Sequence, residues 1–146
     1  MPGVAELFTE SHRLSAIVPA SRSGVEVNTG WVSMRDYHKA VFIVGTGAIA
    51  AAGIVDAQIL QATDLFGTGV KVITGKQITP LGGGDDDSMC VIELDASELD
   101  VDNGFDCILG SISCGGAAAC LTAGLLIRYI PRYAPVGVVN LAEVVN

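Results

Sequence analysis

Apolar residues along this chain fall in short runs separated by clusters of Gly, Asn and Asp, and the runs are rich in β-branched side chains. Trp31–Met34 and Ala40–Val44 (AVFIV) read as two strands around the polar turn Arg35–Lys39, a hairpin-like corner. Gly45, Thr46 and Gly47 are expected to end the second of them. Ala48–Leu60 can be drawn as an alanine-rich helix. A strand from Gly53 onward is preferred, because Gly53 inside a helix costs about 1 kcal/mol relative to Ala. Val70–Thr74 and Cys90–Leu94 read as further strands, with Leu81–Ser88 (LGGGDDDS) a loop between them. Asp95–Asp100 and Asp102-Asn103-Gly104 are turns that lead into a strand over Phe105–Ser113. Gly115-Gly116 divides it from the run Ala117–Ile130.

This rhythm predicts an all-β protein: one β-sandwich, jelly-roll-like or barrel module, rather than a βαβ array. The module is expected over 24–130. Residues 1–23 read as an extended N-terminal arm and 131–146 as an extended C-terminal tail. Prolines at 2, 19, 131 and 135 hold these ends extended. Their apolar residues are the candidate contacts with neighbouring chains: Leu7, Phe8, Leu14, Ile17 and Val18 in the arm, and Tyr133, Val136, Val138, Val139 and Leu141 in the tail. Trp31 and Tyr37 are expected in or beside the core.

Composition sharpens this picture. Half of the 146 residues are hydrophobic and only 16% are charged, against about 25% in ordinary soluble domains. One small domain has difficulty covering so much apolar surface, which predicts burial against other chains. The net charge of −8 and the scattering of the eight Lys and Arg argue against nucleic-acid binding. The uncharged runs Ala40–Val55 and Cys114–Ile127 fall short of the roughly 18 to 20 apolar residues that span a bilayer. No membrane partner is expected. The start, MPGVAELFTESHRL, has no signal-peptide pattern, so synthesis in the cytoplasm is expected.

Candidate chemistry is sparse. Val41–Ala50 (VFIVGTGAIA) carries the G-x-G-x-x-A spacing of a dinucleotide-binding turn, with Asp64 placed as a ribose-binding acid. That reading needs a helix after Gly45 and Gly47, and the downstream sequence looks like hairpins. It is kept as an alternative: a small nucleotide-binding enzyme. Gly75-Lys76 lacks the other residues of a phosphate-binding loop. Asp85–Asp87 and Asp100–Gly104 are acidic loops with incomplete calcium-ligand spacing, read as solvated turns. Cys90, Cys107, Cys114 and Cys120 form no C-x-x-C pair and read as free thiols in the core. With His12 and His38 the only histidines and no nucleophile elbow, neither a catalytic residue nor a cofactor or metal site is expected.

Six segments in order resemble a family of small virion proteins, the capsid decoration or cement proteins of tailed bacteriophages. They are Ala16–Ser23 (AIVPASRS), Asn28–Ile49, Asp56–Asp64 (DAQILQATD), Gly69–Thr79 (GVKVITGKQIT), Glu98–Asp106 (ELDVDNGFD) and Arg128–Val136 (RYIPRYAPV). The resemblance implies a β-sandwich-like homotrimer clamped on the outer surface of an icosahedral shell. The major capsid protein would be its partner and its arms would reach across neighbours. It also admits another small head or tail structural protein. The family supplies no catalytic residues.

Overall fold

The computed structural model describes residues 12–133. Nine strands run in chain order: β1 (Arg13–Arg22), β2 (Val25–Asn28), β3 (Val32–Ser33), β4 (Tyr37–Ile49), β5 (Ile54–Ala62), β6 (Lys71–Gln77), β7 (Met89–Asp95), β8 (Cys107–Gly115) and β9 (Cys120–Pro131). They form two antiparallel sheets. Sheet A has the order β1-β9-β4-β7; sheet B has the order β2-β8-β5-β6, with β3 also on β8. The pairings are nested. First meets last, β2 and β3 meet β8, β4 meets β7, and β5 meets β6. A long antiparallel hairpin has been rolled up, and the β4–β9 and β5–β8 ladders close the roll. This is the jelly roll expected from the sequence.

The core lies between the sheets. In β4 the residues Ala40, Phe42 and Val44 point inward, almost wholly buried, and meet Ile59, Ile108 and Ile112 from sheet B and Leu126 from β9. The alternating burial along β4 is the period-two signature of a strand with one face in the core. Cys107, Cys114 and Cys120 are buried, Cys90 is half-buried, and all four are free thiols, as read from the sequence.

Three local expectations need correction. The hairpin corner at Arg35–Lys39 is a crossing between sheets, since β3 pairs with β8 while β4 enters sheet A. Met34, 2% exposed, is drawn into the core at the crossing, and its N–H donates to the Asp106 carbonyl at 2.8 Å. Gly45–Gly47 do not end β4, which runs on to Ile49 with a register shift after Thr46. A Cβ on Gly45 would lie 2.9 Å from Met89 Sδ, and one on Gly47 2.6 Å from Leu121 Cδ2, so these glycines admit side chains from the neighbouring strands. Residues 13–22, read as part of an arm, are strand β1 at the edge of sheet A, hydrogen-bonded to β9.

The turns follow their sequence chemistry. Asp95 accepts from the Ser97 N–H at 2.9 Å while Glu98 accepts from the Asp95 N–H at 2.8 Å, a reciprocal cap on a short 3-10 turn. Gly104 sits in the left-handed region at φ 80°, as an Asn-Gly turn requires. Tyr37 is buried in the core at 4% exposure, and Trp31 is half-buried.

Candidate assembly surface

Sheet A has a second apolar face. In β4 the outward residues between Ala40, Phe42 and Val44 are Val41 and Ile43, again aliphatic. In β9 the outward residues are Leu125 and Ile127. Register aligns them in rows: Leu14, Ile127, Val41 and Glu93 across the four strands, then Ala16, Leu125, Ile43 and Val91. Side chains directly opposite on one face of an antiparallel pair touch. Ile127, flanked by Leu14 on one side and Val41 on the other, is 8% exposed. Toward the β7 edge Val91 and Met89 are 57% and 69% exposed. Polar groups close the face at one end, where Lys39 pairs with Asp95 at 2.8 Å and His12 stacks on Tyr129 with ring centroids 5.9 Å apart.

Beneath that end lies Arg128, whose charge is tied inward. Its guanidinium sits 4.9 Å above the Tyr37 ring and donates to the Ser33 carbonyl at 2.7 Å, and burial lowers its pKa. Arg128 holds the β3 crossing to sheet A and is not offered to a ligand.

A second apolar feature is the tip of the rolled hairpin, the loop 63–70 between β5 and β6. Asp64 Oδ1 accepts from the N–H groups of Phe66 and Thr68 at 2.9 and 3.0 Å. Hydrogen bonds with Thr68 are the largest cause holding its carboxyl below the usual range. Thr63 N–H donates to the Thr68 carbonyl at 3.0 Å. Gly67, at φ 82°, leaves room for the Trp31 indole, which a Cβ there would meet at 2.6 Å. The loop is thus fixed by its own backbone, and it presents Phe66 at 94% exposure and Leu65 at 56%. A cleft of about 340 Å³ lies alongside, lined in part by Leu65, Phe66, Arg35 and Asp106. The thiol of Cys107, which also lines the cleft, is pushed up to about 11, first by burial and then by Asp106, so it is protonated at neutral pH.

The residues singled out from sequence are dispersed over this framework. Leu14 is half-buried on the outer face of β1 and Val18 is 68% exposed near the bulge in β1. Ile17 points the other way, into the core at 5% exposure, so it serves its own module rather than a docking surface. Tyr133 is 75% exposed. Leu7, Phe8, Val136, Val138, Val139 and Leu141 lie outside the described residues. The dinucleotide reading fails on geometry: Gly45 and Gly47 are inside a central strand, and no helix N-terminus follows them to receive a pyrophosphate. In the acidic loop, Asp86 accepts from the Ile49 N–H at 2.8 Å and Asp85 from the Gly82 N–H at 2.9 Å, which spends carboxylate oxygens on the loop's own backbone. Among the described residues no group of three or more His, Cys, Asp and Glu side chains is placed to hold a metal ion. No helix among them is long and apolar enough to cross a membrane.

Sequence reasoning missed the outer face of sheet A and the Leu65-Phe66 tip. The face did leave a signal, because AVFIV and LLI (Leu125–Ile127) are unbroken apolar runs. A strand covered on one face alone alternates with polar residues, whereas unbroken runs mark strands covered on both.

No protein-family model matches the chain, and no curated protein is similar to it in sequence. Solved structures are similar in fold. The VP2 subviral particle of infectious bursal disease virus matches at a TM-score of 0.52 and 14% identity, over 85% of this chain and 34% of the VP2 chain. This chain therefore spans about a third of the length of that protein. A chain of the Triatoma virus empty capsid matches at 0.48 and 11% identity, over 89% of this chain and 96% of its own. A chain from the disulfide-linked pili of Bacillus endospore appendages matches at 0.42 and 13% identity, over 82% and 88%. The VP2 likeness agrees with the two-sheet jelly roll traced above.

Proposed function

We propose that this chain is a structural virion protein that decorates and cements the outer surface of a tailed-bacteriophage capsid as a homotrimer. Its partners are the major capsid protein and its own sister copies, and it is made in the cytoplasm of the host bacterium. The observation that carries the reading is the apolar outer face of sheet A, half-buried along Val41, Ile43 and Leu125 and exposed at its β7 edge, where Val91 is 57% and Met89 69% exposed. Monomers that work alone rarely keep such a patch. The ordered run of segments that resemble decoration proteins supplies the capsid context, and the jelly roll agrees with it.

Contacts are made by the ends of the chain and by exposed apolar side chains. Leu7, Phe8, Leu14 and Val18 belong to the N-terminal contact, and Tyr133, Val136, Val138, Val139 and Leu141 to the C-terminal one. Burial of apolar surface contributes about 25 cal/mol per Å² before association costs. Modest contacts repeated around a symmetric oligomer add up through effective concentration. The reaction is assembly, and no bond is made or broken.

The test is sedimentation of the purified full chain with undecorated phage heads, followed by electron microscopy of the pellet. Saturable binding with density on the outer shell at symmetric positions supports the reading. A chain that stays in the supernatant at micromolar concentration overturns it.

A further inference from the structure

We propose that the outer face of sheet A is the seat of the C-terminal segment, residues 134–146, of a second copy of this chain. The inference rests on the reading of the chain as a self-assembling virion protein and names the surface and the segment through which copies join.

The face needs a cover. Val41, Ile43, Leu125 and Ile127 lie at its centre, with Leu14 and Val91 on the flanking strands. Their unbroken apolar runs are the pattern of strands buried on both sides, yet sheet B covers the inner side alone.

The segment beyond Tyr133 has matching chemistry. APVGVVNLAEVVN holds Val136, Val138, Val139, Leu141, Val144 and Val145, and Glu143 is its single charge. Thirteen residues extended at about 3.3 Å each reach roughly 43 Å, while a four-stranded sheet with spacings of about 4.8 Å is roughly 15 Å across. Length is ample for crossing a whole face.

The point of departure selects a neighbour's face over the chain's own. β9 ends at Pro131, opposite Tyr37, at the end of the sheet where β1 begins. The Arg132 N–H donates to the Asp36 carbonyl at 2.7 Å, and Tyr133 then stands 75% exposed. Continuing along β9 carries the chain off its own sheet. Pro135 fixes φ near −65° and keeps the residue before it out of the helical region, which suits an extended continuation of that course. A segment sent outward in this way meets a sister copy, and exchange of such segments closes a ring when each copy both gives and receives.

Hydrogen exchange by mass spectrometry on the full chain, with light scattering on the same samples, tests this. In the oligomer the amides of 136–145 are expected to exchange at least tenfold slower than in the same chain unfolded. Ile43→Lys is expected to remove that protection and yield monomers. Should Ile43→Lys fail to fold, Leu141→Asp makes the same test from outside the module. It is expected to lower the mass to that of one chain while leaving exchange in β4 and β8 unchanged. Fast exchange of 136–145 within an intact oligomer overturns the proposal. So does protection that persists in a monomer, which would place the segment on its own sheet. Sedimentation with phage heads is read separately: a seated segment without head binding removes the cement reading alone, and head binding by an oligomer with an unseated segment removes this inference alone.

Discussion

Phe42 of sheet A lies in a notch made by Gly110 of sheet B. A Cβ on Gly110 would stand 2.8 Å from Phe42 Cε1, and one on Gly124 in β9 would meet the same atom at 3.0 Å. The two sheets close on one aromatic ring because two strands omit a side chain around it. Gly110→Ala is therefore expected to destabilise the fold by about 1–3 kcal/mol through overpacking. Gly82→Ala, where nothing lies within 4 Å, serves as the neutral control. Urea denaturation followed by circular dichroism measures both. An unchanged midpoint for Gly110→Ala would show that the ring has room to move.

Acid should unfold the protein by releasing carboxylates held at the ends of strands. The Lys39 hydrogen bond is the largest cause holding the Asp95 carboxyl low, followed by bonds from Ser97. Glu98 is lowered first by the Asp95 N–H, and Asp100 first by Lys71. A carboxyl whose folded pKa lies below its unfolded one adds stability above the unfolded value, and that stability is lost as pH falls through the folded value. The unfolded values are about 3.9 for Asp and 4.3 for Glu. The melting temperature should accordingly hold steady from neutral pH down to about 5 and fall progressively below about 4. Asp95→Asn should flatten that fall. An equally steep acid limb in the variant would assign the loss to other groups.

Thiol reactivity should separate the four cysteines. Cys107 and Cys120 are both raised, foremost by burial, and Cys114 is 1% exposed; Cys90 alone is half-buried. A disulfide reagent at pH 8 should label one thiol per native chain, at Cys90, and all four in denaturant. Rapid labelling of Cys107 in the native protein would contradict the burial described for it.

How far the sequence was legible follows from how local each feature is. The strands over Ala40–Val44, Val70–Thr74 and Cys90–Leu94, the Leu81–Ser88 loop and the Asn103-Gly104 turn are written in consecutive residues and could be read there. The preference for a strand over a helix from Gly53 onward was likewise met by β5. Gly45 and Gly47 misled because their meaning lies in Met89 and Leu121, far along the chain. The edge strand β1 was hidden for the same reason: Arg13 pairs with Arg128, more than a hundred residues away, and no local pattern announces that partner. The outer face of sheet A was half legible. AVFIV and LLI displayed their excess of apolar side chains, but only the β4–β9 register set Ile43 beside Leu125 and made the excess one continuous face. Phe66 gave no signal of its own, since exposure at a loop tip depends on how Asp64 folds the backbone beneath it.

The most direct test of the account is the mass of the full chain in solution, measured by size-exclusion chromatography with light scattering at micromolar concentration. The account predicts one species at three times the 15.0 kDa chain mass, returning toward one chain mass when Ile43 is replaced by Lys. A monodisperse 15.0 kDa monomer, with the outer face of sheet A in water and no tendency to associate, would contradict it.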